Sequence, residues 1–138
     1  EMNAKKVTNN FRGVIIEESL KDKGVLKEVN ILSTEIEPVT AKHNTPWLKQ
    51  WTLYTVEISA KDAPQIAKKI STAINSEPSS WYADFKNHTH HYIIFPDKVF
   101  FVDRRSEEQY DEAKEYGISL GIPPYQVDFH PEVIEWKR

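Results

Sequence analysis

The chain has 138 residues, 39% of them apolar and 12% aromatic, with a formal net charge of −3; this length suits one domain rather than two. It contains no cysteine, which excludes disulfides, thiolate metal centres, iron–sulfur clusters and cysteine nucleophiles. No apolar run approaches the roughly 20 residues of a membrane span, and acidic and basic residues are interspersed, so neither a membrane nor a nucleic-acid partner is expected.

Residues 1–10 are polar, lack the apolar core of a signal peptide, and read as a flexible arm preceding a single domain over 11–138. Together with the missing cysteines, this start points to a cytoplasmic protein. Phe11 to Glu18 carries three adjacent β-branched residues, Val14, Ile15 and Ile16, and predicts a buried strand. Ser19 to Gly24 is polar and ends in Gly, which fits a turn or a single helical turn. Val25, Leu26 and Val29 have helical spacing, but from Asn30 onward Leu32, Thr34 and Ile36 alternate with polar residues, predicting a strand that Pro38 ends or marks as an edge. After a loop at residues 40–46, Trp47 to Ser59 alternates as a third strand.

Asp62, with Gln65 three residues on, predicts a capping box for a helix whose stripe is Ala63, Ile66, Ala67, Ile70, Ala73 and Ile74. Asn75 to Ser80 breaks it. Trp81 to Asp103 then reads as three strands, joined by a short connection at residues 87–90 and a two-residue loop at Pro96-Asp97. Ser106 caps a second helix with Tyr110, Ala113, Gly117 and Leu120 on its buried stripe, and Pro123-Pro124 stops it. The segment from Tyr125 to Arg138 holds Val127, Phe129, Val133, Ile134 and Trp136 and is expected to pack back on the domain or on a second copy. The expectation is an α+β fold: a mostly antiparallel sheet of about six strands, in the order β-β-β-α-β-β-β-α, with two helices packed on one face.

The two turns set a register. With Phe95 and Lys98 flanking one loop and Lys86 and His91 flanking the other, Tyr82, Asp84, Lys86 and His91 share a face with Ile93, Phe95, Phe100 and Val102. The opposite face, carrying Ala83, Phe85, Tyr92, Ile94, Val99 and Phe101, is apolar and should lie under the helices. Asp84 and His91 are candidate catalytic acid and base, with Tyr82 and Lys86 as ligand-binding neighbours. The plain alternative is a solvated carboxylate–amine pair on an exposed sheet face. Arg104 and Arg105, beside the start of the second helix, are candidate ligands for phosphate or carboxylate, or else surface ion-pair partners. His88, His90 and His91 invite a metal reading, but no ligand spacing supports one, and no metal or cofactor is expected. Walker-type phosphate loops, dinucleotide fingerprints and a G-x-S-x-G nucleophile elbow are all missing.

The run Trp81-Tyr82-Ala83-Asp84-Phe85-Lys86-Asn87, then His91 to Phe95 and Tyr116 to Gly121, resembles small bacterial and archaeal proteins that carry no assigned activity. The resemblance implies a stand-alone prokaryotic domain and transfers no functional residues. The residues themselves favour a non-enzymatic ligand-binding or protein-interaction module that self-associates through a sheet edge or its aromatic tail. The alternatives are a small hydrolase- or isomerase-type enzyme using Asp84 and His91, and binding of single-stranded nucleic acid on the sheet aromatics.

Overall fold

The computed structural model describes residues 9–131. The first eight residues of the expected arm, and Val133, Ile134 and Trp136, lie outside the described residues. The fold is α+β. Six strands, β1 (Phe11–Ile16), β2 (Asn30–Pro38), β3 (Gln50–Ile58), β4 (Ala83–Lys86), β5 (His90–Phe95) and β6 (Lys98–Asp103), are joined by helices α1 (Ala63–Ala73) and α2 (Glu107–Ser119). They form one antiparallel sheet in the order β2-β3-β1-β4-β5-β6. No helix among the described residues is long and apolar enough to cross a membrane.

The expected register holds: Lys86 pairs with His91, Asp84 with Ile93, Ile93 with Phe100 and Phe95 with Lys98. The placement of the helices differs from expectation. Rather than sharing one face, they cover opposite faces of the sheet. Ile66, Ile70 and Ala73 of α1 join Phe11, Ile15, Phe85, Tyr92 and Ile94 in one core. Tyr110 and Ala113 of α2 join Ile93, Phe95 and Val102, with Ile122, Val127 and Phe129 from the segment beyond α2, in a second core. The reason lies in β5, where Tyr92, Ile93, Ile94 and Phe95 are consecutive and all buried. Successive residues of a strand point to opposite faces, so an unbroken apolar run needs cover on both.

The starts of the two helices also divide. Ser106 caps α2 as expected, accepting the Gln109 N–H at 3.1 Å. Asp62 makes no side-chain cap on α1. The backbone already turns at Ser59, which accepts the Ala63 N–H on its carbonyl and the Asp62 N–H on its hydroxyl, so Ser59 does the capping.

Gly13 sits where β1 meets β4. A β-carbon there would lie 2.0 Å from the Asp84 carbonyl oxygen and 2.6 Å from the Phe85 Cα, so only glycine allows the two strands to approach this closely. At the far edge, every residue of β2 is exposed, and the strand carries a bulge between Ile31 and Ser33, two glutamates and a terminal proline. These are the usual devices that keep an edge from recruiting another strand.

Candidate functional site

The second face of the sheet is covered unevenly. The helix α2 and residues 122–129 shield β4 to β6 but leave the surface of β1 and β3 open. A cavity of about 450 Å³ lies there, a volume in the range of small-molecule sites. Its floor is Val14 and Ile16 from β1 with Leu53 and Thr55 from β3. Asp84 closes one side and Glu35 and Glu37 from β2 the other. The walls come from the 41–45 turn, from Trp51 and Trp81, and from Ile122 to Gln126.

One aromatic corner is held rigidly. Trp51 donates its indole N–H to Thr45 at 2.9 Å, packs edge-on to His43, and lies 5.2 Å from Trp81 between ring centres. His43 accepts the Thr40 N–H on Nδ1, which leaves Nε2–H to donate to Glu37 at 2.8 Å. On the opposite wall, Tyr125 and Gln126 donate to the Lys42 carbonyl, and Tyr82 donates to the Gln126 carbonyl. These contacts tie the segment following α2 to the loop between β2 and β3.

Asp84 is the buried charge of the site. It is 2% exposed, and its Oδ2 lies 2.6 Å from Nε2 of His91, which is fully buried. Behind the imidazole, Nδ1 lies 3.1 Å from the hydroxyl of buried Tyr110, and Arg104 in turn bonds that hydroxyl. With a neutral imidazole, the following placement of protons satisfies all three contacts. Arg104 donates to the Tyr110 oxygen, Tyr110 donates to Nδ1, and Nε2–H donates to Asp84. All donors run toward the carboxylate, which receives a short charge-assisted bond from His91, and Asp84 is one of the residues lining the cavity. Burial raises the Tyr110 pKa above its ordinary value, against the opposing pull of Arg104, and so favours the neutral hydroxyl that this chain of donors requires.

The residues singled out from the sequence therefore part company. Asp84 and His91 are brought together, but buried rather than on an open surface, so Asp84 is not half of a solvated pair with Lys86. Tyr82 lines the cavity but spends its hydroxyl on Gln126, with its ring edge-on to Phe129. Lys86 shares the face of Asp84, opposite His91, and lies outside the cavity lining. The two arginines diverge: Arg105 pairs with Asp103 at 3.2 Å in full solvent, while Arg104 turns inward to the Asn87 carbonyl and Tyr110. Neither lines the cavity, and their described contacts take them to different partners.

Of the three histidines, His88 is exposed, and His90 and His91 point apart. His91 points inward, and His90 stacks on Phe101 with rings 4.3 Å apart on the other face. Among the described residues no group of three or more His, Asp or Glu side chains could hold a metal ion.

Sequence reasoning missed Glu35, Glu37 and Trp81 as cavity residues. Alternation in β2 does place Glu35 and Glu37 on one face, but nothing local says that this face adjoins Asp84. That adjacency follows from the order β2-β3-β1-β4, in which strands distant in sequence are neighbours. No protein-family model matches the chain, and no curated protein or solved structure matches it significantly.

Proposed function

We propose that this protein is a non-enzymatic binding module that holds a small organic molecule over β1 and β3, with Asp84 as the polar anchor. One observation carries the reading: a cavity with an apolar floor and aromatic walls is lined by Asp84, whose carboxylate is held by a buried imidazole. Ligand sites are built in this way, from apolar surface for affinity and a few positioned polar groups for orientation. Apolar floor residues such as Val14 and Leu53 supply the first, and Asp84 supplies the second.

A chemically mixed set of fragments, titrated at millimolar concentration and followed by amide shifts, tests this directly. Shifts clustered at Val14, Leu53, Asp84 and Ile122 are the expected result. A set that perturbs none of these four removes the reading.

The acid/base enzyme is a second reading with its own support, since Asp84 lines the cavity and is held by a buried imidazole. In it Asp84 is the base that touches substrate, and His91 is a positioning residue that orients the carboxylate. Incubation of the bound fragments would show chemical change that disappears in Asp84→Asn. Recovery of every ligand unaltered leaves the binding module alone.

A further inference from the structure

The two edges of the sheet are finished differently. β2 carries a bulge, two glutamates and a proline, whereas β6, at the other edge, runs Lys98-Val99-Phe100-Phe101-Val102-Asp103 with its pairing to β5 unbroken. Successive residues of an antiparallel strand turn their backbone groups alternately toward the neighbour and away from it. The N–H of Arg104, which reaches the Thr89 carbonyl, sets that alternation: Phe100 and Val102 turn toward β5, and Val99, Phe101 and Asp103 turn away. Asp103 is already engaged. Its N–H donates to Gln109 Oε1 at 2.6 Å, and its carbonyl accepts the Ser106 N–H at 2.9 Å. The start of α2 thus closes the edge at one end, and the 96–97 loop, tied to the Ser71 carbonyl, closes it at the other. Between them no described residue bonds the outward N–H and C=O groups of Val99 and Phe101, and Phe101 is 53% exposed.

We propose that β6 is a dimer interface, at which a second copy of this chain adds its own β6 antiparallel across a two-fold axis at Phe100. Val99 of each copy then exchanges backbone hydrogen bonds with Phe101 of the other, which pairs every outward group left open. Opposite residues share a face in this register, so Phe100 meets Phe100 on the α2 side and Phe101 meets Val99 on the α1 side. Two features select a copy of this chain over a foreign strand. The open stretch is short and bounded, and the same loop and helix start bound the copy's strand to the same length. The charges also match. The Lys98 ammonium lies on the α2 side, 5.1 Å from the centre of the Phe100 ring and 6.0 Å from that of Tyr116. The register carries it across to Val102 of the second copy, beside that copy's Glu112. Glu112 stands on α2 between Gln109 and Tyr116, which both reach β6. Among the described residues neither Lys98 nor Glu112 has an ion-pair partner within its own copy.

Sedimentation of the unmodified protein from micromolar to millimolar concentration should show a monomer giving way to a dimer, with amide exchange at Val99 and Phe101 slowing as it forms. Val99→Pro removes an outward N–H at an edge position that tolerates proline, and should weaken the dimer roughly tenfold or more. Phe101→Lys should weaken it through the side chain, and decides the matter if Val99→Pro does not fold. Lys98→Glu and Glu112→Lys should each weaken the dimer, and the double variant should restore it; failure to restore overturns the register. Ile36→Lys, on the β2 edge, should leave the dimer unchanged. A protein that stays monomeric at millimolar concentration overturns the proposal and leaves this edge to a foreign strand or to water. A dimer that Val99→Pro and Phe101→Lys leave intact, or that Ile36→Lys abolishes, is held elsewhere and equally overturns it.

Discussion

Tyr110 brings one hydroxyl into the interior, and that hydroxyl links a guanidinium on one side to an imidazole on the other. Replacing it with Phe keeps the ring against His91 and Phe95's neighbours in the second core but removes the donor to Nδ1. Losing a hydrogen-bond partner inside a protein costs about 1–3 kcal/mol, so Tyr110→Phe should be less stable by that amount and unfold at a lower urea concentration. A second consequence separates this role from mere packing. Without the hydroxyl, His91 has lost the donor that fixes its tautomer, and its ring nitrogen resonances should move while those of His43 stay in place. An unchanged His91 spectrum would show that the Tyr110 hydroxyl does not set the tautomer.

At the scale of elements, the pairing of β1 with β4 positions Asp84. Val14 pairs with Asp84, and Gly13, one residue earlier, lies against the backbone that carries it. A methyl group at Gly13 meets main-chain atoms, which cannot swing aside as a flexible side chain would. Gly13→Ala should therefore part the strands, cost about 1–3 kcal/mol or more, and shift the amide signals of Asp84 and Phe85 beyond those of the α1 core. A variant with wild-type stability and an unmoved Asp84 signal would contradict the close approach. The elements also show what local sequence could carry. The uninterrupted Tyr92-Ile93-Ile94-Phe95 run contained the two-sided burial of β5, and weighing it above the polar neighbours Asp84 and Lys86 would have placed a helix on each face. Conversely, Asp62 and Gln65 matched a capping box in spacing alone, and the turn at Ser59 took the role because the backbone was already bent there.

For the whole molecule, acid stability should draw on a junction far from helix α2. Tyr54 of β3 donates to Glu17 at 2.6 Å, and Lys23 lies 3.4 Å from the same carboxylate. The Tyr54 hydrogen bond is the largest cause that lowers the Glu17 pKa below its ordinary 4.5; Lys23 adds to it and burial opposes it. A carboxyl group depressed in the folded state stabilises the fold above its unfolded pKa, and this contribution fades as the pH falls through the folded value. Chemical denaturation across a pH series should therefore show stability declining below about pH 4.5, and Glu17→Gln should make that decline shallower. Equal acid slopes for the two proteins would show that Glu17 does not carry the effect.

By itself, the sequence determined the elements and their local register, because both depend on short-range physics. Alternation marks strands, the 3.6-residue period marks α1, Ser106 marks the start of α2, and the turns at 87–90 and 96–97 set which residues of β4, β5 and β6 stand opposite one another. Asp84 and His91 were legible as neighbours for that reason. Only the tertiary structure decided that α2 would bury His91, that β2 would bring Glu35 and Glu37 to the same cavity as Asp84, and that Arg104 and Arg105 would part. Those outcomes depend on contacts between segments far apart in the chain, settled by how the apolar faces of the whole domain can be covered at once.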